Sequence, residues 1–100
     1  MDITKINLYK INFDAISKSI EDDNGDVMEV WYARELQSVL GYARWENFVI
    51  AIHRAMESCK TQNVSVDDHF RELTKMVVLG RGSQRAIMDF ILTRYACYLI

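Results

Sequence analysis

Two His, two Cys and fourteen carboxylates are what this 100-residue chain has for acid, base, nucleophile or metal chemistry. Cys59 and Cys97 are too far apart for a CxxC site, and His53 and His69 lack a paired-ligand spacing such as HxxxH. Both cysteines fall among apolar residues, which predicts reduced packing side chains and no disulfide. Asp67 and Asp68 are adjacent carboxylates and not a facing pair. Gly80-Arg81-Gly82 lacks both the GxGxxG pattern and the Lys-Ser/Thr of a phosphate-cradling loop. No converging catalytic set emerges, so neither an enzyme, a cofactor nor a metal is expected. A hydrolase or nuclease would need Glu35, Asp68 and a His brought within ligand distance of one another.

The remaining chemistry belongs to the cations. Helical patterns over 33–40 and 44–60, broken at Gly41, form a helix-turn-helix-like pair, and a predicted β-hairpin follows. That is the parts list of a winged helix. The second helix would offer Arg44, Glu46 and Asn47 to a groove, while Arg81 and Arg85 at the hairpin tip would rest on phosphates. The decisive geometric question is whether Arg34, Arg44, Arg81 and Arg85 share one face.

The elements that must hold these residues are read from periodicity. Residues 1–11 fit a short strand or an irregular arm. Phe13, Ile16 and Ile20 recur at helical spacing, with Asn12 as N-cap. The acidic run 21–26 contains the turn signal Asn24-Gly25 and reads as a solvated loop, and 27–32 is rich in β-formers. In the first helix Leu36, Val39 and Leu40 face inward, and Gly41 sits where a left-handed residue ends it. In the second, Trp45, Phe48, Val49, Ile52, Met56 and Cys59 make one apolar stripe, leaving Ile50 on the polar side as a surface residue or a partner contact. Ser65 and Asp68 have capping-box spacing for a brief helical turn, and Phe70, Leu73 and Met76 are spaced to continue a helix. Residues 76–79 nevertheless lean to β, Gly80-Arg81-Gly82-Ser83 looks like a hairpin tip, and 84–90 would return. Thr93 then caps a final helix, with Leu92 and Cys97 at the spacing of a hydrophobic staple. The pattern stops inside that helix, as the front of a longer protein would.

Composition sets the frame. Half of the residues are apolar and 26% are charged, with no Pro and four Gly, which fits one α+β domain over 1–100. No long apolar run or secretory pattern is present, so a soluble, cytoplasmic chain without membrane contact is expected. The net charge of −2 argues against a strongly basic nucleic-acid binder. The distribution qualifies this: residues 1–30 carry three basic and seven acidic side chains, residues 31–100 nine basic and seven acidic.

Longer strings carry a family likeness. Trp31-Tyr32-Ala33-Arg34-Glu35-Leu36, Leu40-Gly41-Tyr42, Asp68-His69-Phe70, Met76-Val77, Leu79-Gly80 and Leu92-Thr93-Arg94-Tyr95-Ala96-Cys97-Tyr98-Leu99-Ile100 resemble the bacterial DNA-damage-inducible protein D family. That family is similar in turn to the amino-terminal domain of Bro proteins and phage antirepressors. The resemblance implies an SOS-response protein whose Bro-like domain contacts DNA. It places Arg34 and Glu35 in the Ala-Arg-Glu-Leu motif and Arg94 in the Leu-Ser/Thr-Arg-Tyr motif, where buried ion pairs could equally hold structure together. Tyr32 stands where the family commonly has Ser, forfeiting an N-cap worth about 1 kcal/mol. Arg44-Trp45 replaces the smaller polar and Tyr residues usual at the turn.

The expected function is therefore a non-enzymatic DNA-binding or DNA-repair regulatory domain. It would make weak, salt-sensitive contact with duplex or single-stranded DNA through Arg44, Asn47, Arg81 and Arg85. The alternative is a module that binds a recombination or repair protein, or a second copy of itself.

Overall fold

A computed structural model describes residues 12–100. Residues 12–15 are helical, and β1 (Lys18–Glu21) and β2 (Val27–Tyr32) follow as a hairpin. Its turn is built by the acidic run: Asp22 Oδ1 accepts the backbone N–H groups of Asn24 and Asp26, both at 2.9 Å. A short Asp side chain satisfies the turn's own amides in this way, so the run is exposed yet ordered.

Helix α1 (Ala33–Val39) starts directly from β2. It ends as the sequence predicts: Gly41 has φ +80°, Tyr42 N–H bonds to the Gln37 carbonyl and Gly41 N–H to the Ser38 carbonyl. This is a Schellman closure, which satisfies carbonyls that would otherwise lack partners. Helix α2 (Trp45–Thr61) then buries Phe48, Ile52, Ala55 and Cys59 on one face. The stripe predicted for it is the stripe that packs, and each large side chain removed from water contributes about 1.5–3 kcal/mol.

The chain returns through β3 (Phe70–Val78) and β4 (Gln84–Leu92), paired without interruption from Phe70 opposite Leu92 to Val78 opposite Gln84. The sheet order is β1-β2-β4-β3, all antiparallel, with β2 joined to β4 at Trp31 opposite Leu92 and Tyr32 opposite Ile91. Thr93 caps α3 (Arg94–Leu99), its Oγ1 accepting Ala96 N–H at 3.1 Å. Trp31, Leu36, Phe48, Ile52, Phe90 and Leu92 form the centre of the core. Helices packed against an antiparallel sheet make this an α+β domain.

Five local expectations are corrected, one of them at Leu40, which the helical spacing turns inward but which is 41% exposed at the C-cap of α1. Asn12 lies within the helical residues rather than ahead of them, and Ile20 belongs to β1, where it pairs with Met28. Residues 66–69 form a turn closed by Phe70 N–H to the Val66 carbonyl, with no Ser65–Asp68 capping bond among the described residues. Phe70, Leu73 and Met76 lie on a strand, not a helix. Pairing with β4 overrides the three-residue spacing, turning Phe70 into the core and leaving Met76 59% exposed. The arm expected over 1–11 lies outside the described residues.

Candidate nucleic-acid interface

The β3–β4 hairpin is anchored at one end and free at the other. At its base Phe70, Phe90 and Leu92 are buried; beyond Lys75 and Met88 nothing is, with Val78 72% and Leu79 46% exposed. Strands 9 residues long reach about 30 Å, so the hairpin is long enough to project as an arm. Its apex is a single 3-10 turn, Gly80–Gly82, closed by Leu79 N–H to the Ser83 carbonyl at 2.6 Å.

The two predicted tip cations are where the sequence puts them. Arg81 is exposed at the apex with φ 69°, a left-handed conformation uncommon for a non-glycine residue. Arg85 is exposed on β4 opposite Val77. Among the described residues neither enters an ion pair. Residues 73–88 carry Lys75, Arg81 and Arg85 and no carboxylate, a longer acid-free run than any other in the chain.

Arg44 and Asn47 are exposed at the start of α2. Arg44 occupies the N-cap without capping through its side chain, and Glu46 lies 3.8 Å from its Nε. Trp45 between them turns inward, its ring 6.3 Å from that of Phe90. Arg34 is not a free surface cation. Its Nε donates to the Met88 carbonyl at 3.0 Å and its guanidinium lies 3.9 Å over the Trp45 ring, tying α1, α2 and β4 together.

What rigidifies the root of the arm was missed in the sequence. Asp89 is fully buried; its Oδ1 accepts the Arg34 and Phe90 N–H groups, and its Oδ2 lies 2.6 Å from Lys75 Nζ. Lys75 Nζ also sits 4.1 Å over the Tyr32 ring. The available signal was a lone carboxylate in the apolar run Ile87-Met88-Asp89-Phe90-Ile91, which has to find partners when buried.

Of the family motif residues, Glu35 and Arg94 make ion pairs, but not buried ones. Glu35 meets Lys18 at 3.6 Å, and Arg94 donates from Nε and Nη2 to Glu29 Oε1 at 3.0 and 2.9 Å, all with more than a third of each side chain exposed. Hydrogen bonds to Tyr98 and Glu29 push the Arg94 pKa further up. Glu35, Asp68 and the histidines do not come together, and among the described residues no group of three or more His, Cys, Asp or Glu is placed to hold a metal. Burial pushes the Cys97 thiol up to about 12 and raises that of Cys59.

Two other surfaces stand out. At the root of β3 a cavity of about 140 Å³ is lined by Glu21, Asp22, Asp23, Asp67 and Asp68. The acid thus gathers at the end of the hairpin away from Arg81. Along α2 an open groove beside the half-exposed Ile50 includes His53, Arg54 and Glu57. No helix among the described residues is long and apolar enough to cross a membrane.

The sequence of this chain is similar to that of a known protein. Over 77 residues, 77% of the chain, the sequence is 42% identical to DNA damage-inducible protein D of Escherichia coli (strain K12). The likeness supports membership of the DNA damage-inducible protein D family. The chain spans about 28% of that relative's length. No protein-family model and no solved structure matches the chain.

Proposed function

We propose that this chain is a DNA-binding, non-enzymatic domain of a cytoplasmic DNA-damage-inducible protein, acting in a regulatory or repair role. The observation that carries the proposal is the acid-free arm, whose Arg81 and Arg85 are exposed and enter no ion pair among the described residues, while carboxylates cluster at its root. Phosphate contact needs cations that are not already neutralised, because affinity comes from the counterions they displace. Arg44 and Asn47 add a secondary contact at the start of α2. Induction by DNA damage is carried over from the name of the relative.

The test is affinity for a duplex and a single-stranded oligonucleotide across a salt series. Three phosphate contacts predict a log–log slope of about −2 to −3 on duplex, reduced by about 2 in R81A/R85A. A flat salt dependence, or an unchanged slope in the double variant, overturns the proposal.

A second reading has its own support. The groove beside Ile50 sets one half-exposed apolar side chain among His53, Arg54 and Glu57, a mixture of apolar and polar contacts that a protein docking surface can use. Loss of association with a repair protein, or of self-association, in Ile50→Glu at unchanged DNA affinity would favour it.

A further inference from the structure

The arm carries more than charge. Strand alternation puts Met76 and Val78 on one face of β3, with Ala86 and Gln84 opposite them on β4, and all four are exposed. Leu79, 46% exposed where β3 meets the apex and next in the chain to Val78, falls by the same alternation on the opposite face. Arg85 rises on the other face, opposite Val77. The free end is therefore a narrow two-stranded blade that exposes apolar side chains on both faces beside the Arg81 apex, with two guanidinium groups that enter no ion pair among the described residues.

Apolar side chains just below the apex are the wrong tool for the hydrogen-bonding code of base edges in the major groove: Met76, Val78 and Leu79 can neither donate nor accept there. It suits another task. Aliphatic side chains flanked by Arg part stacked base steps from the minor groove, where the guanidinium groups sit in the negative potential of the narrow groove. Charge complementarity selects the occupant, since residues 73–88 are acid-free in a chain of net charge −2.

We propose that the hairpin is a wedge that inserts Leu79 and Val78 between base steps of duplex DNA and kinks it, so that this domain prefers deformable or already distorted duplex. The inference rests on the DNA-binding reading above and adds the mode of contact and the class of DNA. It requires a rigid root, which the Asp89–Lys75 pair and the Arg34 contacts with Met88 and Trp45 supply. Otherwise the arm would bend before the stack opened.

The experiment uses the chain with a duplex carrying 2-aminopurine at a central TA step and dyes at its ends. Binding is expected to raise the 2-aminopurine emission and shorten the end-to-end distance. A duplex with a one-base bulge avoids part of the unstacking cost and is expected to bind about tenfold or more tightly than the intact duplex. V78S/L79S changes exposed residues only, and its melting temperature verifies the fold. It should keep the salt slope on intact duplex while losing the emission change and the preference for the bulge. DNA bound with unchanged emission and no preference overturns the wedge but leaves the DNA reading standing, whereas no binding to either duplex overturns both. A V78S/L79S variant that keeps the emission change, or that alters only the self-association seen by sedimentation, also overturns the wedge.

Discussion

Asp89 caps a helix to which it does not belong: its Oδ1 accepts the Arg34 N–H at 3.0 Å, across 55 residues of sequence. Tyr32, at the N-cap of α1, has no oxygen in place for this, and its side chain makes no cap bond. A carboxylate from β4 supplies the acceptor instead and sits at the positive end of the helix dipole. The same group holds Lys75 at 2.6 Å, so helix start, hairpin root and sheet share one buried charge.

Removing that charge is expected to be costly. Asp89→Ala leaves two buried N–H groups and the Lys75 ammonium without their acceptor, which predicts a loss of about 3 kcal/mol in urea unfolding. Asp89→Asn keeps an acceptor oxygen and should lose less. A loss below about 1 kcal/mol in Asp89→Ala would show that the cap contributes little.

Gly41→Ala isolates a backbone cost. A Cβ there meets nothing within 4 Å, while φ stays at +80°. The variant should lose about 1 kcal/mol in urea unfolding through conformation alone, with no change in DNA affinity.

Features decided by neighbours in sequence were legible. The Gly41 closure, the Asn24-Gly25 turn, the Thr93 cap and the tip around Arg81 each depend on a few adjacent residues, and each is found where its signal lies. Features decided by distant partners were not. Strand β3 owes its identity to pairing with β4, and Asp89 to an amide 55 positions earlier. Arg34 looked like an available cation because its partners, the Met88 carbonyl and the Trp45 ring, come from other elements. The exposed apolar residues of the arm were hidden for the opposite reason: apolar residues are assumed to point inward, and Met76, Val78 and Leu79 do not.

Cys97 gives a pH dependence with a definite sign. Burial raises its thiol from 9.0 to about 12 in the folded chain. Below pH 9 both states keep the proton and no stability is lost. Between 9 and 12 only the unfolded state releases it, so stability falls as pH rises, approaching about 1.4 kcal/mol per pH unit. The measurement is unfolding of the wild-type chain and Cys97→Ala at about pH 8.5, just below that window, and at about pH 10.5, inside it. The difference in slope between the two belongs to the thiol, and equal slopes would place Cys97 in a more solvated setting.

Glu46 tempers the α2 contact. Its carboxylate lies 3.8 Å from Arg44 Nε, both side chains are 75% exposed, and it would face the same phosphates as Arg44. Glu46→Gln is therefore expected to tighten duplex binding about threefold at low salt, with the gain shrinking as salt screens it. Unchanged affinity would take Arg44 and Asn47 out of the interface and leave the arm as the contact.

Arg81 occupies a backbone position that Gly would fill more easily. With φ 69° it holds a conformation that costs an L-residue about 1–2 kcal/mol, and the turn geometry alone gives no reason for a long cation there. Strain of this kind is retained where a side chain is needed for something else. Arg81→Gly should therefore leave stability in urea unchanged or higher by up to about 1 kcal/mol, because relief of strain is partly offset by greater freedom of the unfolded chain. The same variant should weaken duplex binding and lower the salt slope by about 1. If stability falls and DNA affinity holds, Arg81 serves the turn and not the ligand.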